Sequence, residues 1–399
     1  MRVIAWKAAS LVSIGVLAGA VAGPAQAGEA RQVLSWGMNE FGQHGRGETG
    51  GSGSTPTAVP IEGDVESVAP GHGFHNIAVL RDGGVVTWGA NFCGQLGRGS
   101  VGEASAVPTA VTGLPEIVSA RTGACHSAAL AKDGTVWAWG ANASGQVGGV
   151  RPGPVPSAPV QVKGLPRMAS VSPGGFHTAA LDRRGRVWTW GNNAAGQLGR
   201  PLAGAADFTP GIVRGLGNDV KAVVSGGGFT VALKEDGTVW GFGTNPFGQL
   251  GTEAPAFARS PHQIAGLSDI VDIAAGRDHT IALRSDGALL TLGMNNHGQI
   301  GNGTTTDTNV PHHVALPGRV TQISAGGFFT LAVVEDGTVW AWGANGTGQL
   351  GDGTSQDRHT PAQVVGLDSP TQIAGGGEHS MALVAVDDSE GDSEGDGED

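Results

Sequence analysis

Short apolar runs separated by polar turns recur along the chain at a nearly fixed interval. In one copy, Ile117 to Ala120 is apolar, His126 to Leu130 suits a strand, Asp133-Gly134 offers a two-residue turn, and Thr135 to Trp139 alternates. Asp-Gly between two such runs is a strong hairpin signal, because a type I′ turn needs positive φ at both central positions. The turn recurs at Asp82-Gly83, Asp236-Gly237, Asp286-Gly287 and Asp336-Gly337, with Arg184-Gly185 as a variant. A further run, Pro159 to Val162, supplies a fourth strand.

The interval sets the architecture. An aromatic or apolar residue followed by Gly stands at Trp36, Trp88, Trp139, Trp190, Phe242, Leu292 and Trp342, spaced by 52, 51, 51, 52, 50 and 50 residues. Two residues after each Gly comes an Asn (Asn39, Asn91, Asn142, Asn193, Asn245, Asn295, Asn345), and then, after two variable residues, Gly-Gln-x-Gly. All seven copies keep the Asn, the Gln and both Gly. Four strands per repeat, seven times, predicts an all-β, seven-bladed β-propeller. The last repeat stops after His379 to Leu383 and lacks its Trp strand, while the first begins with that strand, Gln32 to Trp36. The N-terminal strand is therefore expected to complete the C-terminal blade and close the ring, leaving few free strand edges.

Composition agrees with this pattern. Of 399 residues 71 are Gly and 21 Pro, only 15% are charged, and there is no Tyr. Such a chain is poor in helix formers, which excludes a helical bundle, and its 39% regularly recurring hydrophobic residues argue against disorder.

The two ends read differently. Arg2 and Lys7, an uncharged apolar stretch from Ala8 to Gly23, and Pro24-Ala25-Gln26-Ala27 form a signal-peptide pattern with cleavage expected after Ala27. Sixteen apolar residues are short for a membrane span. Residues 28–386 are then the propeller and 387–399 an acidic tail, expected to be disordered. With the two bases of the first 27 residues and the eight acids of the last 13 set aside, 27 acids face 21 bases. No basic stripe is visible, which argues against nucleic acid as a partner.

The pattern His-Thr-x-Ala-Leu-x-x-Asp-Gly-x-Val-x-x-Trp-Gly-x-Asn-x-x-Gly-Gln-Leu-Gly resembles the regulator of chromosome condensation repeat family, over residues 32 to 386. The resemblance implies the seven-bladed propeller already counted. It also brings three kinds of activity into view. One is nucleotide exchange on a small GTPase through an inserted wedge; the even spacing shows no such insertion. A second is ultraviolet reception by Gly-Trp-Arg-His-Thr segments; the matching stretches here, Gly174 to Thr178 and Gly276 to Thr280, have no Trp. The third is enzyme inhibition by a secreted bacterial propeller, the nearest in setting to an exported chain.

Candidate chemistry is sparse. His75, His126, His177, His279 and His379 share one repeat position, with Phe229 and Phe329 in the other two copies. They read as consensus strand-start residues held by local hydrogen bonds, too far apart round a ring to share a metal ion. The Gly226 to Gly228 and Gly375 to Gly377 runs precede strands and read as turn glycines. No paired carboxylates, nucleophile–base pair or phosphate loop emerges. The expectation is no enzyme, no cofactor and no metal. Nine of the ten Trp, including Trp137, Trp188, Trp240 and Trp340, lie on the Trp-Gly strands and read as packing between blades.

What varies between copies is loop content. The loop before each His and the loop after each Trp-Gly lie at one end of the hairpin, hence on one face of the ring. Residues held there by fixed Gly, Asn and Gln are Phe74, Phe176, Asp278, Phe328 and Glu378 in the first loop, and Phe41, Phe92, Phe247 and His297 in the second. Phe41, Phe92 and Phe247 are the best candidates for exposed anchors of a partner. Cys93 and Cys125 belong to the same loops and are candidates for a disulfide in an exported protein. The chain thus reads as a secreted, monomeric protein-binding platform, with inhibition or regulation of a secreted or cell-surface enzyme as the specific form. A glycan or cell-wall binding module is the alternative, and nucleotide exchange on a small GTPase a more remote one.

Overall fold

A computed structural model describes residues 30–149, 155–201, 204–252 and 255–386. The expected signal peptide and acidic tail lie outside the described residues. The chain forms seven four-stranded antiparallel sheets, numbered here as blades I to VII from the first complete one. Blade I runs Val65–Pro70, His75–Leu80, Val85–Gly89 and Ser105–Ala110. Blades II to VI repeat this order over 117–161, 168–212, 220–263, 270–314 and 320–368. In each blade the strand lining the ring's central channel comes first. The His strand, the Trp strand and an outer strand follow.

Blade VII is assembled from both ends, as expected. Its inner strands are Gln372–Gly375 and His379–Ala385, its outer ones Arg31–Met38 and Ser52–Val59. Seven consecutive residue pairs, from Arg31 opposite Ala385 to Gly37 opposite His379, join the two ends. The closing blade is also tied to blade I. Gln372 Oε1 accepts from Val68 N at 3.0 Å while its Nε2 donates to Val68 O at 2.8 Å.

The core lies between blades. Trp36, Trp88, Trp139, Trp190 and Trp342 are fully buried, whereas Trp137, Trp188, Trp240 and Trp340 are only half-buried. In three of those four, Trp137, Trp240 and Trp340, the indole N–H bonds a Thr hydroxyl beside the Asp-Gly turn. The packing expectation for the Trp set thus holds fully for five residues and partly for four.

The glycines before the His strands are not turn glycines: Gly226, Gly227, Gly375, Gly376 and Gly377 all lack positive φ. They are close-approach glycines. Seven backbone hydrogen bonds link consecutive blades round the mouth of the channel, from Gly73 N to Gly123 O through to Gly377 N to Gly71 O. A Cβ at Gly73 would sit 1.7 Å from Ala124 O, and one at Gly175 2.2 Å from Gly227 O. At Gly73 and Gly175 the approach leaves no room for a side chain, while Ala124 and Arg277 supply two of the seven donors.

Candidate functional site

The face carrying the His-side and Asn-side loops is built by two side-chain roles that recur in each copy. In all seven copies the Asn Oδ1 accepts from the backbone N–H five residues on, as Asn91 does from Leu96. In all seven the Gln Oε1 accepts from the backbone N–H two residues back, as Gln95 does from Cys93. Each loop is thereby held by its own side chains, like a double Asx-type turn. The first variable residue of each loop is exposed, and the second is half-buried or, at Ala195, buried.

The Gln carbonyl reaches the next blade. It accepts from the buried indoles of Trp36, Trp88, Trp139, Trp190 and Trp342 at 2.8–3.0 Å. It also accepts from a Ser, Thr or Asn side chain of that blade, for example Ser127 Oγ to Gln95 O at 2.9 Å. The His of one blade completes the chain. His75 bonds Ser127, His126 bonds Thr178, His177 bonds Thr230, His279 bonds Thr330 and His379 bonds Asn76, all through Nε2 at 2.7–3.2 Å. The single hydroxyl proton goes to the Gln carbonyl, so the hydroxyl accepts from the imidazole and the proton sits on Nε2. The five His are thus stitching between blades rather than local turn partners. Burial pushes their pKa down to about 3 or 4, so they are neutral at pH 7.

The sequence candidates turn out to be related. Phe41, Phe247 and His297 stand two residues after the Asn and Phe92 one residue after it. The other set stands immediately before the His strand, and each seam between blades brings one Asn-loop and one pre-His residue to its top. Phe41 meets Phe74 with ring centroids 5.5 Å apart. His297 meets Phe328 at 5.6 Å. Thr347 Oγ1 donates to Glu378 O at 2.9 Å. Cys93 and Cys125 are free thiols in hydrogen-bond contact, and burial with that bond pushes Cys125 up to about 12. Phe247 and Asp278 occupy the corresponding positions of a fifth seam, where burial raises the Asp278 carboxyl and Arg277 opposes the shift. Where the partner position is small the aromatic stays bare: Phe176, opposite Ser144, is 55% exposed.

Two clusters result. Phe92 packs edge-on against Phe41 at 4.9 Å, giving a Phe41–Phe74–Phe92 group whose outer member is 52% exposed. Arg277 lies 5.3 Å over Phe328, and His297 Nδ1 is 2.7 Å from Asp357, giving a second, charged group on blades V and VI. Phe41 and Phe247 are half-buried, so among the three preferred anchors only Phe92 is exposed. Phe257, 56% exposed at the start of an outer strand, was not legible because outer strands lie outside the repeated motif.

Against this geometry, the family described as the RCC1-like domain matches residues 149–391. The regulator of chromosome condensation (RCC1) repeat matches residues 82–130, and a second form of it matches 65–95 and 117–146. The chain belongs to the RCC1-like domain family. Human probable E3 ubiquitin-protein ligase HERC6 is 36% identical over 60% of this chain and 24% of its own length. The ultraviolet-B receptor UVR8 of Arabidopsis thaliana is 33% identical over 58% of this chain and 53% of its own. The regulator of chromosome condensation of Mus musculus is 31% identical over 59% and 61%. The chain therefore spans between a quarter and three-fifths of these relatives. Among solved structures, human WBSCR16 superposes with TM-score 0.81 over 89% of this chain and all of that one, at 22% identity. Yeast RCC1 (Prp20), solved bound to Kap60, gives 0.79 over 90% of each chain at 24% identity. Both likenesses establish the fold of this RCC1-like propeller. Among the described residues no helix is long and apolar enough to cross a membrane.

Proposed function

We propose that this RCC1-like propeller is an exported protein-interaction platform that grips one protein partner with its His-loop face. Inhibition or regulation of a secreted or cell-surface enzyme is the form we infer. The observation that carries the reading is the Phe41–Phe74–Phe92 cluster, with Phe92 standing bare on a loop locked by Asn91 and Gln95 and Phe176 bare on the loop before His177. Aromatic anchors on a rigid scaffold lose little entropy on binding and are the usual centres of an interface. The solved yeast relative, captured with Kap60, supports protein recognition as a use of the fold. Export rests on the pattern of residues 1–27.

The test is capture from secreted and envelope fractions of the source organism on residues 28–399, beside a Phe92→Ala, Phe176→Ala variant of equal melting temperature. A stoichiometric protein retained by the parent and at least about tenfold weaker on the variant is the expected outcome. Retention on insoluble cell wall, equal for both baits and without a protein partner, would favour the glycan reading instead.

A further inference from the structure

On the face opposite the aromatic clusters, the channel opens into a vestibule of about 1050 Å³. The channel itself is a cavity of about 140 Å³ lined by the inner strands of all seven blades. The two meet at Ser119 and Gln372, which line both. At the far end the backbone glycine ring narrows the exit. The channel is thus a well whose wide approach is from the vestibule.

The well holds an uncompensated cation. At the repeat position where other inner strands carry Ala69, Ser172, Val224, Ala274, Ser324 and Ala374, blade II carries Arg121. Its guanidinium has five N–H donors, of which the structure pairs one, to Ala120 O at 3.0 Å. Among the described residues it makes no ion pair and no residue lining the well is acidic, although Asp272 stands on the blade V inner strand at the repeat position of Ser119 and Ser170. Arg121 is half-buried with its side chain on the channel wall, so the missing partner leaves its charge incompletely solvated. Burial accordingly depresses the guanidinium pKa.

Other groups round the same cavity also want a partner. Ser170 Oγ and His72 Nδ1 are buried and unpaired. Ser172 and Ser324 accept backbone N–H bonds from Ser225 and Gly375, and their own hydroxyl protons have no acceptor among the described residues. The inner strands thus carry unused hydroxyl protons, beside one unused acceptor, Gln322 Oε1 of blade VI. The vestibule has the same sign: five bases (Arg31, Lys132, Arg183, Arg184 and Lys221) outnumber three carboxylates, and Arg183 and Arg184 form no ion pair among the described residues. In a chain with 35 acids against 23 bases, that local excess runs against the global charge.

We propose that the channel is an anion site: Arg121, with the hydroxyls of Ser170, Ser172 and Ser324, takes one small oxyanion of the phosphate class, drawn in through the cationic vestibule. Free phosphate would sit wholly in the well. The head group of a phosphomonoester would bind the same way and leave its body among Arg183 and Arg184.

The experiment melts residues 28–399 in a phosphate-free gluconate buffer of fixed ionic strength, titrated with inorganic phosphate or with O-phosphoserine. Arg121→Met and Arg183→Gln, Arg184→Gln variants run alongside. The parent should gain a saturable rise of about 2 °C or more, and Arg121→Met none. Without phosphate, Arg121→Met should melt at or above the parent, since the substitution removes an unpaired charge. A larger rise with O-phosphoserine, reduced in the vestibule variant, would identify the phosphomonoester as the source; a larger rise with inorganic phosphate, the free ion. Phosphorus NMR of inorganic phosphate with the parent protein adds a readout independent of the variant's folding, and the line should broaden. A flat melting response in the parent, an equal response in Arg121→Met, or an unbroadened phosphate line would overturn the proposal.

Discussion

Two seams of the ring solve the same packing problem differently. Between blades I and II three polar links run in series: His75 to Ser127, Ser127 to the Gln95 carbonyl, and Trp139 to the same carbonyl. Between blades IV and V one remains, Thr280 Oγ1 to Gln249 O at 2.8 Å. There Phe229 stands for the His and Leu292 for the Trp, and both join an apolar cluster with Leu250, Ile264 and Ile273. The two seams nonetheless share their backbone geometry. Gly73 N bonds Gly123 O across the first, as Gly227 N bonds Arg277 O across the second. Blade spacing is therefore set by close backbone approach and shape. The polar chain above it is an added device that fixes which hydroxyl faces which imidazole, and one seam dispenses with most of it.

The largest expected effect would widen that contrast. Cys93 and Cys125 sit across the I–II seam, in contact and unbonded, at the positions Phe247 and Asp278 occupy across IV–V. Oxidising the pair would close a 32-residue loop and, on the chain-entropy account, stabilise by about 3–4 kcal/mol. Denaturant melts of the parent and of Cys93→Ser, with and without reductant, check this. A midpoint insensitive to reductant in the parent would mean the thiols stay free.

A pair of isosteric substitutions comes next. Thr178→Val in the II–III seam removes the acceptor of His126 and a donor to Gln146 O, leaving a buried imidazole N–H without a partner. Thr280→Val removes one bond from a seam that has no His to strand. The expected losses are about 2–3 kcal/mol for the first and about 1 kcal/mol for the second. Equal losses would mean that the His contributes nothing to its seam.

Much of this contrast could be read in the sequence. The fixed spacing, the Asp-Gly turns and the split terminal repeat gave seven blades and their closure because each is a short-range pattern repeated in register. Phe229 and Leu292 were visible as departures from consensus. What stayed hidden depends on neighbours fifty residues away. The glycine runs looked like turns because a sequence does not display another blade's carbonyl 1.7 Å from a missing Cβ. The Phe candidates looked independent because their pairing lies across seams, so Phe41 and Phe74 were named separately although they touch. Arg121 did leave a signal, a long cation in a column of small residues, but it falls on the least regular strand of the motif.

The smallest effect at neutral pH concerns the imidazoles, and it separates the seams by titration. His75, His126, His279 and His379 are held down to about 3 and His177 to about 4, against an ordinary value near 6.5. Between those limits the unfolded chain binds protons that the folded chain refuses, so stability rises with pH there. The contribution is complete above pH 6.5 and is lost as pH falls towards 3. Asp272 has the opposite sign: burial raises it to about 7, so it favours the fold below the ordinary carboxylate range and loses that contribution as pH climbs to 7. Asp278 is raised in the same direction, but the five imidazoles, joined by His44 and His72 held down to about 4, outweigh the two carboxyls and leave a net fall in stability on acidification. Replacing His126 by Phe copies what blade IV already does with Phe229. It should reduce the slope of stability against pH between 4 and 6 by about one proton, with only a small change at pH 7.5. Urea melts at several pH values measure that slope. An unchanged slope would place the acid sensitivity in other groups, and the His position would then be a matter of shape in every blade, as it already is where Phe stands.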